Sequence, residues 1–310
     1  MNTIEFFEAY KAKNPSAITI GTFDGVHVGH KKIIENLISK SEGLDTMLLT
    51  FFPHPRMVLQ QDANIKLINT IEERIQLLEA TGLNTLIIYP FSRKFSRLKA
   101  RDFVRDFLID HLNLKKIIIG YDHRFGRNRT ANIDDLREFG EAFDFKVEEI
   151  QAKEIDDVTI SSTKIRKALN EGDIATANAY LGYEFMLTGT VISGKGLGNT
   201  INFPTANIHI KEEYKLIPKQ GVYFVKSILD DTTIFGMMNI GMNPTVKGKS
   251  QTIEVHFFDF DRDIYDEKIQ VQLIERLRDE HKFDSVTQLQ SQLQKDKQTS
   301  LELIKNYHAE

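Results

Sequence analysis

From Ala17 to about Ile150 the chain alternates short, almost uninterrupted apolar runs with stretches of helical periodicity. The runs are Ala17 to Ile20, Thr46 to Phe52, Thr85 to Tyr89 and Lys116 to Ile119. Strands covered on both faces read this way, so the pattern predicts βαβ units and, with right-handed crossovers, an open parallel sheet whose ligands sit beyond the carboxyl ends of its strands. Between the second and third runs, Ile71, Ile75 and Leu78 recur at helical spacing. Thr70 with Glu73 forms a capping box before them and Gly82 follows, which predicts a helix there. Ile165, Ala168 and Leu169 mark another helix, opening near Ser161 and ending before Gly172.

Beyond Gly182 the period falls to two, with Ile253, Val255 and Phe257 on one face and Glu254, His256 and Phe258 on the other. This is the pattern of a half-exposed strand. Further runs at Phe185 to Ile192, Gly221 to Ile228, Thr233 to Ile240 and Lys268 to Ile274, broken by Gly, Pro, Asn and Asp, predict a small antiparallel barrel. Val286, Leu289 and Leu293 then predict a terminal helix packed on that barrel. The expected architecture is an α/β domain with a Rossmann-like parallel sheet over 1–182 and an antiparallel β-barrel with a terminal helix over 183–310.

Composition narrows the function classes. A chain of 310 residues can build two cores. No apolar stretch approaches the roughly 20 residues that a membrane span needs. The segment MNTIEFFEAYKAKNPSA has no basic region followed by an apolar one, so a soluble, cytoplasmic protein is expected, with no membrane partner. The sequence has no cysteine, so disulfides and thiolate zinc sites are excluded and any metal must be held by oxygen or imidazole. A net charge of −4 speaks against a broad nucleic-acid surface. A monomer or weak oligomer is expected.

The segment Gly21-Thr22-Phe23-Asp24-Gly25-Val26-His27-Val28-Gly29-His30 lies between the first strand and the first helix. Its glycines let backbone approach a phosphate closely, the helix N-terminus offers unpaired N–H groups, and His27 and His30 can donate to phosphoryl oxygens. Two histidines near a turn also serve as caps or packing groups. Ser161, Ser162 and Thr163 open a second helix with Arg166 on its first turn, a second phosphate cradle or an ordinary N-cap. In the second half, Ser193-Gly194-Lys195-Gly196-Leu197-Gly198-Asn199 leads into Phe203-Pro204-Thr205-Ala206-Asn207. Glycine-rich loops also make hairpins, but here the Thr205 hydroxyl and Asn207 amide supply hard oxygen donors suited to Mg2+ bridging ATP phosphates.

Together these residues resemble the nucleotidylyltransferase superfamily, and more closely the FMN adenylyltransferase module of prokaryotic bifunctional riboflavin kinase/FAD synthetases. The second half resembles the riboflavin kinase barrel. The resemblance covers essentially the whole chain and implies ATP-dependent phosphorylation of riboflavin to FMN, then adenylylation of FMN to FAD with release of pyrophosphate. ATP, riboflavin, FMN and FAD are the implied ligands, the flavins as substrates and products, with Mg2+ accompanying ATP. An alternative keeps one activity and leaves the other domain as a flavin- or nucleotide-binding module.

For adenylyl transfer the expected phosphate contacts are Gly21, Phe23, Asp24, Gly29, Ser161, Ser162, Thr163 and Arg166, with His27 and His30 at the reacting phosphate. No covalent nucleophile is needed, because positioning and charge neutralisation suffice. The resemblance places Phe52, Pro53, His54 and Asp122 in loops on the flavin and adenine sides, although the prolines can simply shape a loop. For the kinase, Gly194, Lys195, Gly196 and Gly198 cover the ATP phosphates, and Thr205 and Asn207 hold the metal. Glu254 is expected to accept the proton of the riboflavin 5′-hydroxyl. Without the resemblance it reads as a solvated strand carboxylate. Arg278 is implied to lie near the flavin or nucleotide, and otherwise reads as part of a surface salt-bridge network. Leu197 and Asn199 stand where the resembled kinases often have arginine, and Asn202 and Asp266 where glycine is common.

Overall fold

The computed structural model describes residues 1–5, 7–59, 65–120, 124–127, 130–150, 160–194, 197–245 and 248–307. Asp122, Lys195 and Gly196 therefore lie outside the described residues, as do the side chains of Leu197 and Asn199. The chain divides into two compact units, Met1–Ser162 and Thr163–Glu310.

In the first unit, the chain order is β1 (Asn2–Ile4), β2 (Ser16–Ile20), α1 (Val28–Ser39), β3 (Asp45–Phe51), α2 (Pro55–Leu59), α3 (Ile71–Glu79), β4 (Thr85–Tyr89), α4 (Ala100–Asp102, continuing as a π-helical stretch Phe103–Ile109), β5 (Leu114–Gly120), α5 (Ile133–Phe143) and β6 (Lys146–Ile150). The strands form one parallel sheet in the order β1-β4-β3-β2-β5-β6. Successive strand residues feed two cores. Ile18, Ile20, Met47, Leu49, Ile87, Ile117 and Ile119 pack with the π-helical stretch and Leu136 of α5. Ala17, Leu48, Leu86, Ile88 and Ile118 pack with Ile34 and Leu37 of α1 and Leu78 of α3. Burial on both faces is why these strands read as continuous apolar runs.

The Thr70–Glu73 capping box is present, with Glu73 N donating to Thr70 Oγ1 at 3.1 Å and Thr70 N to Glu73 Oε2 at 3.0 Å. The short edge strands β1 and β6 carry no apolar run, and pattern reading passes over both. The chain runs outward from β2 through β3 and β4 on one side and from β5 to β6 on the other. The loop after β2 is thereby placed at the point where strand order reverses, the usual ligand crevice of an open α/β sheet.

The second unit continues with α6 (Ser162–Glu171, its first residue contributed by the first unit), α7 (Ile174–Leu181), β7 (Met186–Ile192), α8 (Leu197–Thr200), β8 (Ala206–His209), β9 (Gly221–Leu229), β10 (Thr232–Thr245), β11 (Gly248–Phe257), β12 (Lys268–Arg278) and α9 (Val286–Tyr307). Ile165, Ala168 and Leu169 are buried on α6, and Gly172 follows it with φ +81°. The strands close an antiparallel barrel in the order β10-β11-β8-β7-β12-β9.

The half-exposed reading of the strand through Glu254 is corrected. Ile253, Val255 and Phe257 are buried, but so are His256 and Phe258 on the opposite face. The reason is α9: Leu289, Leu293, Leu301, Ile304 and Tyr307 pack over Phe203, Phe224, Phe235, Met237 and Phe258, covering a face that alternation alone assigns to water. Val286, at the start of α9, stays half exposed outside this contact.

The helix is fastened by Arg278, whose Nε donates to both Asp296 carboxylate oxygens at 3.0 Å and whose Nη2 donates to Oδ2 at 2.7 Å. Asp296 is buried, so removing it leaves a largely sequestered guanidinium without its anion. Asp296→Ala is expected to lower the unfolding free energy of this unit by about 3 kcal/mol in urea titrations, whereas Glu302→Ala on the exposed side should change it by less than about 0.5 kcal/mol.

Candidate active sites

The loop between β2 and α1 folds back tightly. Phe23, Gly25 and Val26 have φ of +46°, +92° and +36°, a run that brings the backbone round to the N-terminus of α1. A β-carbon on Gly21 would stand 2.9 Å from the Phe23 ring, so the glycine there is required by close approach. Asp24 is fully buried, and its Oδ1 accepts from Ile68 N at 3.0 Å and Asn69 N at 3.4 Å. Arg74 Nη2 lies 3.6 Å from the same oxygen. The carboxylate thus ties the loop to the segment before α3, while Ser162 Oγ donates to Asp24 O at 2.9 Å.

His27 is the N-cap of α1, its Nδ1 accepting from His30 N at 3.3 Å. A neutral His27 must therefore carry its proton on Nε2, as a donor. The two imidazoles stack with centroids 3.6 Å apart and planes 18° apart. His30 Nδ1 is buried without a hydrogen-bond partner among the described residues. Burial pushes His27 down to about 4, only partly opposed by Asp24. Burial, with His27 and Arg74 alongside, holds His30 well below the usual imidazole range. Both rings are therefore neutral at pH 7, each able to offer an N–H without carrying charge.

Of the other residues expected at the phosphates, Gly29 is buried in α1, Ser161 and Ser162 are half-buried, and on α6 of the second unit Thr163 is exposed and Arg166 half-buried. Phe52 and Pro53, joined by a cis peptide bond, follow β3, and the buried His54 turns inward, its Nδ1 accepting from Arg56 N at 3.1 Å.

In the second unit, Asn207 of β8 stands directly across from Glu254 of β11, and Asn239 of β10 stands across from Glu254 on its other side. The three polar side chains form a row over three strands. A β-carbon on Gly194 would lie 2.6 Å from Asn207 Cγ, and one on Gly198 would collide with Phe203 O and lie 3.4 Å from Thr205 Oγ1. Gly194 is thus laid against the Asn207 side chain, and Gly198 against the Phe203 carbonyl beside Thr205, so closely that only glycine fits. An oxygen donor pair beside a carboxylate and a bare backbone suits a hard divalent ion carrying phosphates.

Asn202 and Asp266, the two positions where the resemblance led us to expect glycine, are in the left-handed region, at φ +61° and φ +62°. Asn and Asp are the non-glycine residues that adopt this conformation most readily. At Asn202 the conformation lets the Gly198 carbonyl accept from both Ile201 N at 3.1 Å and Phe203 N at 2.9 Å. Pattern reading missed Asn239, since a lone Asn in an apolar strand gives no signal until register places it beside Glu254.

A family model described as FAD synthetase matches residues 9–164, and one described as riboflavin kinase matches residues 181–304. A bifunctional riboflavin kinase/FMN adenylyltransferase of Buchnera aphidicola subsp. Schizaphis graminum is 38% identical over 303 residues, covering 96% of this chain and 95% of that protein. The protein of the same description from Listeria monocytogenes is 37% identical, covering 91% and 90%. The crystal structure of a macrolide-efflux protein from Streptococcus pneumoniae is 31% identical, with a TM-score of 0.87 over 97% of this chain and 99% of that one.

The stacked histidines make stability depend on pH. With a folded value near 4 and an ordinary value of 6.5 when unfolded, His27 binds protons preferentially in the unfolded chain. Stability is therefore retained above about pH 6.5 and falls as pH drops from there towards 4, by roughly 3 kcal/mol for this group alone. NMR titration of the His27 ring should give a midpoint near 4 in the free protein, and bound ATP should raise it, because phosphate favours the charged imidazole.

Proposed function

The chain belongs to the family of bifunctional riboflavin kinases/FMN adenylyltransferases, and on that premise we propose which of its residues carry each reaction. It phosphorylates riboflavin to FMN and adenylylates FMN to FAD with release of pyrophosphate. Matches to both family models leave no support for a single retained activity. The adenylyltransferase is assigned to residues 1–182 and the kinase to residues 183–310. The observation that carries the kinase assignment is the register pair Asn207–Glu254, with Gly194 packed against Asn207.

At the kinase site Glu254 takes the proton of the riboflavin 5′-hydroxyl as its oxygen attacks the γ-phosphorus of ATP, and ADP leaves. Thr205 and Asn207 would hold Mg2+, which neutralises charge on the phosphates when bound. Gly194, Lys195, Gly196 and Gly198 cover those phosphates. Arg278, its guanidinium held by Asp296 on α9, borders the flavin or nucleotide.

At the adenylyltransferase site a phosphate oxygen of FMN attacks the α-phosphorus of ATP and the bond to pyrophosphate breaks. His27 and His30 donate to the phosphoryl oxygens as charge builds on them. Gly21, Phe23 and Gly29 shape the cradle, Asp24 holds its loop in place, and Ser161, Ser162, Thr163 and Arg166 receive the outer phosphates. Phe52, Pro53, His54 and Asp122 border the flavin. The protein works in the cytoplasm, where ATP is supplied, as a monomer or weak oligomer without a nucleic-acid partner.

Incubation with riboflavin, ATP and magnesium, followed by chromatography, should show FMN and then FAD. Glu254→Ala should abolish FMN formation, at least about 100-fold, while FMN supplied directly still becomes FAD, and His30→Ala should do the reverse. Absence of both products from the unaltered protein would overturn the reading. Asn202→Gly and Asp266→Gly should keep riboflavin phosphorylation within about twofold, whereas Asn202→Val should destabilise the unit by about 1–2 kcal/mol in urea titrations, because a β-branched residue resists positive φ.

A further inference from the structure

The ladder between β8 and β11 is short. It pairs Glu254 with Asn207 and Val255 with Ala206 and goes no further towards the amino end of β8. The next residue back along that segment is Thr205, and before it Pro204, which has no N–H to donate and cannot extend a ladder. At this point β11 continues with a side chain in place of backbone pairing. His256 Nδ1–H donates to Pro204 O at 2.8 Å. The ring is buried and wedged edge-on between Phe203, at a centroid distance of 5.0 Å, and Phe258, at 5.8 Å. Its rotation is therefore fixed by packing on both sides.

We propose that His256 is a positioning residue for riboflavin phosphorylation, holding the Pro204-Thr205-Ala206-Asn207 segment at a set distance from Glu254 through its bond to the Pro204 carbonyl. Glu254 and His256 lie two residues apart on one face of β11, so a single rigid strand carries both the proton acceptor and the clamp on the segment that meets the ATP phosphates. Thr205 is then held from both ends, by His256 at Pro204 and by the register pair at Asn207. Without the first hold, the segment keeps its β8 ladder but its amino-terminal half is free to swing with the Phe203 turn, taking the Thr205 hydroxyl out of line. The proposal rests on the kinase assignment above.

The test compares His256→Phe, which keeps a packing ring and removes the donor, with His256→Gln, which returns an amide N–H. Two readouts are taken on the full chain: kinetics of riboflavin phosphorylation and of FMN adenylylation, and amide hydrogen exchange followed by mass spectrometry. His256→Phe should lower kcat for phosphorylation roughly 10- to 100-fold and leave FMN adenylylation unchanged. It should also speed exchange in peptides spanning residues 203–207 but not in those spanning residues 221–229. His256→Gln should recover at least about a third of the lost rate and protection.

Phosphorylation and exchange at 203–207 both unchanged in His256→Phe would overturn the proposal. If His256→Phe loosens the whole barrel, the glutamine variant decides, and a His256→Gln no better than His256→Phe would overturn it as well. Failure of the unaltered protein to phosphorylate riboflavin would instead remove the kinase assignment, so the two failures are told apart.

Discussion

The first unit is organised around a carboxylate that never meets water. Asp24 accepts from the amides of Ile68 and Asn69 and faces Arg74, all of them buried. A buried ion pair of this kind adds little net stability, because desolvation offsets the attraction, but losing either partner is costly. Its effect is geometric. The positive-φ turn through Phe23, Gly25 and Val26 would not hold by itself, and the bonds from Asp24 fix it against the segment entering α3. From that fixed turn follow the N-cap of α1 by His27, the stacking of His27 on His30, and the dry surroundings that keep both imidazoles neutral.

In the second unit the comparable constraint is a shortage of space between backbones. Gly194 and Gly198 press against Asn207, Thr205 and the Phe203 carbonyl with no room for a β-carbon. The turn at Asn202 sends both the Ile201 and Phe203 amides to the Gly198 carbonyl, which delivers the Pro204-Thr205 segment to the edge of β11. The outer face of the barrel is then divided. The part through Phe235, Met237 and Phe258 is sealed by α9, and the part through Asn207, Glu254 and Asn239 carries the polar row. Arg278 and Asp296 set that division by fastening α9 to the end of β12.

Asn202 and Asp266 show how a left-handed turn can be built without glycine. What each position requires is a left-handed backbone, which Asn and Asp can meet at modest cost, so the turns survive without glycine.

Much of the fold was legible in the residues. Uninterrupted apolar runs announced strands covered on both faces, the Thr70 and Glu73 pair announced a capped helix, and the Gly21–His30 and Ser193–Asn207 segments stood out as candidate sites. Those signals are local, carried by periodicity and by residues with special backbone or donor properties. The short edge strands β1 and β6 were not legible, because an edge strand three to five residues long needs no apolar run of its own. Neither was the burial of His256 and Phe258, since alternation records which residues share a face and not what covers it. The internal bonds of Asp24 and Arg278 join groups 44 and 18 residues apart, and Asn239 meets Glu254 only through strand register. The sequence by itself determined the elements and the chemical groups available. Tertiary structure alone decided which polar side chains are brought together and which hold the frame, because that choice depends on partners distant along the chain and on the water that their packing excludes.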